Sequence, residues 1–265
     1  MPVAALPQGP TYFESAGRGL ALVLIHGMGG DATLWDRHAA ALDDRFRVIR
    51  YDIWGHGRSG RVPAPWRFTQ FAAQLAGLLD HLGIERATVC GFSLGGNIAQ
   101  CFALDYPARC AGLAIAASAC ARMPEEQARV DLRVEQVAAG GAPAVVDGAL
   151  GRWFGPGYAA AHPEVVAYWR AKTLANDPQS YVDVYRLYAD NDRQLLHRLS
   201  DIKAPTLILT GDEDAGQTPR MAEAMQSRIA GAERIILPGI RHMLPLEAAD
   251  TLVATLRDFA GRCAR

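Results

Sequence analysis

The sequence carries no excess of charge of either sign, with 27 lysines and arginines against 28 aspartates and glutamates. That balance supplies neither the basic footprint of a nucleic-acid binder nor attraction to an anionic membrane surface, so neither partner is expected. No apolar run reaches the roughly 18 residues that a transmembrane helix requires. The N-terminal stretch lacks the basic-then-apolar profile of a signal peptide. Cysteine is sparse and odd in number: Cys90, Cys101, Cys110, Cys120 and Cys263, without a C-x-x-C pair. This excludes a disulfide framework and reads as small apolar residues in a reducing compartment, so a cytoplasmic location is expected. No histidine pair has metal-ligand spacing backed by acids or cysteines, and no metal is expected. Neither glycine-rich turn, near His26 or Gly55, reads G-x-G-x-x-G, and no suitable acid ends the following strand, so no nucleotide cofactor is expected. Internal repeats and low-complexity tracts are absent.

What is present is a chain of 265 residues, 50% hydrophobic, enough for one large core and an inserted subdomain. The continuous apolar runs at 20–25 and 111–117 read as strands buried on both faces of a sheet. Further strands are expected at 46–52, 88–92, 204–210 and 233–237, with a short edge pair within 1–19. Helices are expected between them at 33–42, 69–82, 219–230 and 246–260, the second stopped by Gly83. Alternation of this kind predicts an α/β fold with a doubly wound, mostly parallel sheet. From about Ala119 to Leu199 no strand pattern is visible; glycines and prolines separate short helical pieces rich in Trp and Tyr. We therefore expect a core of 1–118 and 200–265 and a helical lid at 119–199, over the strand ends.

Within 88–99 the pattern is strand, tight turn, helix. Gly91-Phe92-Ser93-Leu94-Gly95 matches the G-x-S-x-G elbow, in which the serine projects above the sheet edge. A serine hydroxyl needs a base within hydrogen-bond reach, and the base needs an orienting carboxylate. In open α/β sheets such groups gather beyond the carboxyl ends of the strands. Ser93 follows one strand, Asp212 and Asp214 another, and His242 the last. Either aspartate could make the same hydrogen bond. His26 beside its glycine turn reads as a structural hydrogen-bonder. His56 lies in a turn shared with non-catalytic uses. His38, His81, His162 and His197 are expected at the surface.

Five segments together resemble the α/β-hydrolase fold superfamily over nearly the whole chain. They are His26-Gly27-Met28-Gly29-Gly30, Asp52 to Ser59, Gly91 to Gly96, Gly211-Asp212-Glu213-Asp214 with Pro219, and Arg241-His242-Met243. The resemblance implies that the acid is Asp214, three residues after Gly211, with Asp212 forming the turn. It implies a Ser93–His242–Asp214 triad. Oxyanion stabilisation needs two backbone amides; Leu94, after the nucleophile, supplies one, and the resemblance assigns the other to Met28. The segments 152–154, 162–166 and 177–181 are similar to the lid of 3-oxoadipate enol-lactonases, whereas 241–245 departs from their small-residue pattern. The implied activity is hydrolysis of a small-molecule carboxylic ester or lactone without a cofactor, with an enol-lactone as the weaker preference. Trp153 is the candidate pocket wall, or equally a lid-core aromatic. A serine at the elbow argues against dehalogenase and epoxide-hydrolase chemistry, which use aspartate there. Carbon–carbon bond hydrolysis of a vinylogous diketone, cofactor-free perhydrolysis and a non-catalytic receptor role share these residues and stay open. Oligomeric state has no sequence signal.

Overall fold

In the computed structural model, which describes residues 2–263, the chain begins with the antiparallel pair β1 (Val3–Leu6) and β2 (Gly9–Ala16). Then follow β3 (Leu20–Ile25), β4 (Phe46–Tyr51), β5 (Ala87–Phe92), β6 (Cys110–Ala116), β7 (Thr206–Gly211) and β8 (Glu233–Leu237). They form one eight-stranded sheet in the order β1-β2-β4-β3-β5-β6-β7-β8. β2 joins β4 antiparallel, and every pair from β4 to β8 is parallel. The chain leaves β3 toward β4 on one side and later returns on the other side as β5. This reversal is the switch point where open α/β sheets form a crevice. Register aligns the carboxyl ends there: Ile25 lies opposite Gly91, Gly91 opposite Ile115, and Gly211 opposite Leu237.

The uninterrupted apolar run of β3 follows from burial on both faces. Val23 and Ile25 point into one core cluster, Leu22 and Leu24 into the other. The first cluster also holds Phe71, Leu75 and Leu78 of the helix Phe68–His81, and Ile98 and Phe102 of the helix Leu94–Asp105. The second holds Leu42 of the helix Asp36–Leu42 and Leu252, Leu256 and Phe259 of the helix Ala249–Cys263. Residues three or four apart share a helix face, so each helix presents one apolar stripe to the sheet. Among the described residues no helix is long and apolar enough to cross a membrane.

Between β6 and β7 the chain is helical, with Pro124–Gly140, Val146–Trp153, Pro156–Ala161, Pro163–Leu174, Pro178–Ala189 and Asn191–Leu195. Four of these begin with proline, whose fixed φ suits a first helical turn and whose missing N–H costs nothing there. Trp169, Tyr181, Tyr185 and Tyr188 are buried beneath them. Hydrogen bonds and an ion pair tie this segment to the loop after β3. Asn176 Nδ2 donates to the Gly29 carbonyl at 3.1 Å, and the Lys172 ammonium pairs with Asp31. Burial alone would raise the Asp31 pKa, but Lys172 and Thr33 outweigh it and hold the carboxyl at about 2.

Three sequence expectations need correction. The closing helix is two helices, Leu244–Glu247 and Ala249–Cys263, because Ala248 at φ −129° and ψ 38° leaves the helical region. β6 ends at Ala116, since Ala117 turns to φ 47°. His38 is buried, at 1% exposure, not at the surface. It packs edge-on against Trp35 with ring centroids 4.9 Å apart, and neither ring nitrogen has a hydrogen-bond partner. Burial, helped by the Arg37 charge, pushes its pKa down to about 4.

A histidine held neutral in the fold binds its proton more readily when unfolded. Stability is therefore complete above about pH 6.5 and declines as pH falls toward about 4. His38→Leu should remove this loss. Its advantage over the wild type should grow by about 2 kcal/mol between pH 7.5 and pH 5, measured by urea unfolding.

Candidate active site

Ser93 stands between β5 and the helix Leu94–Asp105 at φ 55° and ψ −118°. A non-glycine residue rarely adopts such a conformation, and the surrounding contacts must impose it. The glycines around it make the turn possible. A Cβ on Gly91 would land on the Gly95 carbonyl, and one on Gly96 would strike the Ser118 hydroxyl. The Ser93 amide donates to the Ala116 carbonyl at 2.8 Å, and the Ser118 hydroxyl donates to the Ser93 carbonyl.

The last two strands deliver the other two side chains. His242 Nε2 lies 3.2 Å from Ser93 Oγ, and His242 Nδ1 lies 2.8 Å from Asp214 Oδ2. The other Asp214 oxygen accepts from the amides of Gly216 and Gln217, both at 2.9 Å. Burial opposes the charge on Asp214, but His242 and these two amides outweigh it and keep its pKa below the usual carboxylate value. An ionised carboxylate only accepts, so Nδ1 carries the proton. In the neutral ring Nε2 is then free to accept from the serine hydroxyl. Asp212 does something else: its Oδ1 accepts from the Gly239 amide at 2.7 Å, joining the turns after β7 and β8. The His242 ring rests against Phe92 and Trp153, at centroid distances of 4.9 and 6.4 Å.

The loop after β3 closes on the serine from the other side. An added Cβ on Gly27 would stand 3.1 Å from Ser93 Cβ, so the backbone just before Met28 passes close to the serine. Neither that amide nor the Leu94 amide is paired with an acceptor among the described residues. His26 holds the loop, donating from Nδ1 to the Gly27 carbonyl at 2.7 Å and accepting at Nε2 from the Ile53 amide at 3.0 Å. His56 is buried beside it, 5.5 Å away between ring centroids.

A cavity opens above Ser93, His242 and Asp214, with Trp153 in its wall. It also takes residues that the sequence did not single out: Arg133, Trp169, Tyr185, Tyr188 and Gln217, with Arg152 noted only as part of a lid segment. Arg133 lies among Asp131, Leu132 and Glu135, a stretch that reads as a solvated helix face. Nothing in its local pattern marks it. Among the described residues no cluster of His, Cys, Asp and Glu could hold a metal ion.

A doubly wound sheet presenting a serine, an imidazole and a carboxylate from three strand ends defines the α/β-hydrolase class. The sequence profile of the α/β-hydrolase fold matches residues 21–249, and the chain belongs to that family. It is a hydrolase of the α/β fold. It is 32% identical to 3-oxoadipate enol-lactonase 2 of Acinetobacter baylyi over 73% of this chain and 71% of that protein. Its structure is similar to the enol-lactonase of Burkholderia xenovorans, at a TM-score of 0.89 and 29% identity, covering 97% and 99% of the two chains. A thermophilic esterase from Thermogutta terrifontis gives a TM-score of 0.89 at 28% identity, covering 99% and 98%.

The elbow leaves no room at Gly91, whereas Gly151, in the exposed part of Val146–Trp153, has no atom within 4 Å of an added Cβ. Gly91→Ala should cost about 3 kcal/mol of stability through overpacking against backbone. Gly151→Ala should gain about 0.5–1 kcal/mol from helix propensity. Thermal unfolding of the two variants beside the wild type reads both.

Proposed function

We propose that the protein is a serine hydrolase that cleaves a carboxylic ester or lactone of a small molecule through an acyl-enzyme. The observation that carries this reading is the continuous chain of contacts from Asp214 Oδ2 through His242 to Ser93 Oγ, at 2.8 and 3.2 Å. Ser93 Oγ attacks the carbonyl carbon while His242 Nε2 takes the hydroxyl proton. Asp214 holds the ring in the required tautomer and stabilises the imidazolium that forms. The carbonyl oxygen becomes an oxyanion, received by the amides of Leu94 and Met28. His242 then gives its proton to the leaving oxygen, and the acyl group stays on Ser93.

Water attacks the acyl-enzyme with His242 again taking a proton, and the serine is released with the new carboxylic acid. In a lactone the leaving oxygen stays tethered to the acyl group, so nothing departs until this second step. The names of the relatives, enol-lactonase and esterase, support an ester-type bond, and the enol-lactonases favour a cyclic one. Trp153, beside the His242 ring, serves as the wall against which the substrate packs.

Turnover of p-nitrophenyl butyrate tests the reading. Ser93→Ala should lower kcat by about four to six orders of magnitude. Asp214→Asn should lower it by about 10⁴-fold, because the amide would favour the wrong tautomer. Asp212→Asn should stay within about tenfold of the wild type, its side chain serving only the turn. Near-wild-type activity in Ser93→Ala would overturn the proposal.

A further inference from the structure

The cavity above Ser93 contains two cations with nothing to bind. Arg133 projects from the helix Pro124–Gly140 and Arg152 from Val146–Trp153, and both line the cavity together with Ser93 and His242. Both are partly buried, and among the described residues neither side chain has a hydrogen-bond acceptor or an ion-pair partner. The other partly buried arginines do have one, among them Arg50 with Glu14, Arg109 with the Ile84 carbonyl, Arg122 with Asp192-flanked Asn191, and Arg198 with Asp105. Arginines without an acceptor elsewhere, such as Arg18, Arg45 and Arg129, are exposed and solvated.

The lining offers no counter-charge that is free to pair with them. Its single carboxylate is Asp214, whose oxygens are taken by His242 and by the amides of Gly216 and Gln217. Tyr185 and Tyr188 stand close to Arg133, but a neutral phenol does not neutralise a guanidinium. Burial, and then the neighbouring Arg152 charge, push the Arg133 pKa down. Two like charges held near each other in a partly desolvated cleft are unfavourable alone, and an anion between them removes the penalty. Guanidinium groups suit carboxylates in particular, because their N–H forks match both oxygens.

We propose that Arg133 and Arg152 bind a carboxylate that the substrate carries in addition to the carbonyl attacked by Ser93. The substrate is then a carboxylated ester or lactone, negatively charged before hydrolysis. This inference rests on the serine-hydrolase reading of the same cavity. The Arg pair anchors the far end of the molecule, and the anchor fixes which carbonyl faces the nucleophile.

The test compares p-nitrophenyl hemiglutarate with p-nitrophenyl hexanoate, a neutral ester of similar length. The wild type should prefer the charged ester by about 10- to 100-fold in kcat/KM, the range that charge-assisted hydrogen bonds supply. Arg133→Gln and Arg152→Gln should each lower that ratio, chiefly through KM for the charged ester, and Arg133→Lys should keep part of it. No preference in the wild type, or equal losses on both esters in the variants, would overturn the proposal. A wild type that turns over neither ester would instead count against the serine-hydrolase reading. The arginine site is then still decided by calorimetric titration of the Ser93→Ala protein with glutarate and with pentanoate. Tighter binding of the dicarboxylate supports the site, and equal affinity for the two acids sinks it.

Discussion

The backbone of Ser93, at φ 55° and ψ −118°, is a conformation that an L-residue reaches at a cost of about 1–3 kcal/mol. Everything around the elbow serves to impose it. β5 is buried along its whole length, so the strand that enters the turn cannot shift. The helix that leaves the turn packs back against the sheet only because Gly91 and Gly96 have no side chain where backbone and the Ser118 hydroxyl pass. The result is a hydroxyl at the sheet edge and a helix N-terminus whose first amide is unpaired. Strain at Ser93 and an unpaired amide beside it are two consequences of one tight turn.

That turn would position nothing if the neighbouring loops were loose, and a buried polar frame keeps them fixed. Asp52 accepts from the Ala32 amide with one oxygen, and from the Arg58 amide and guanidinium with the other. His26 joins the end of β3 to Ile53, two residues past β4. These bonds satisfy buried groups that would otherwise lack partners. The loop that carries the Met28 amide is thereby held from the core by His26, and from the helical segment by Asn176 and Lys172.

The parts legible in the sequence were those whose cause is local or periodic. Burial on both faces removes alternation from a strand, so β3 and β6 could be read from apolar runs alone. Ser93, Asp214 and His242 were legible because each follows a strand, and a parallel sheet places all such positions on one edge. The choice of Asp214 over Asp212 was not a matter of residue chemistry; it depended on family resemblance. The observed partners separate the two, one on His242 and one on the Gly239 amide. Strand order and the burial of His38 had no local signal. His38 occupies a helix position that is polar by sequence, and only packing with Trp35 near the Ala249–Cys263 helix encloses it. Arg133 was hidden in the same way, since a charged residue among other charged residues on a helix reads as solvated until the fold shows what the helix faces.

The two halves of the cavity differ in what they can specify. Its floor is made by strand ends and tight turns, and it offers a hydroxyl, an imidazole and backbone amides. In the proposed reaction these groups would act on any carbonyl brought within reach, so the floor would select a reaction and hardly a substrate. Its roof is made by the helices between β6 and β7, and offers Arg133, Arg152, Trp153, Trp169, Tyr185 and Tyr188. Flat aromatic faces and two guanidinium groups are discriminating in shape and charge. The oxygens of the floor's one carboxylate, Asp214, are already taken by its histidine and two amides. The charges left without a partner are those of the roof, and their sign is positive. A neutral chain satisfies the floor, but a neutral chain leaves the two arginines of the roof without a counter-ion. The molecule that satisfies both surfaces at once has an acyl carbonyl at one end and an anion at the other.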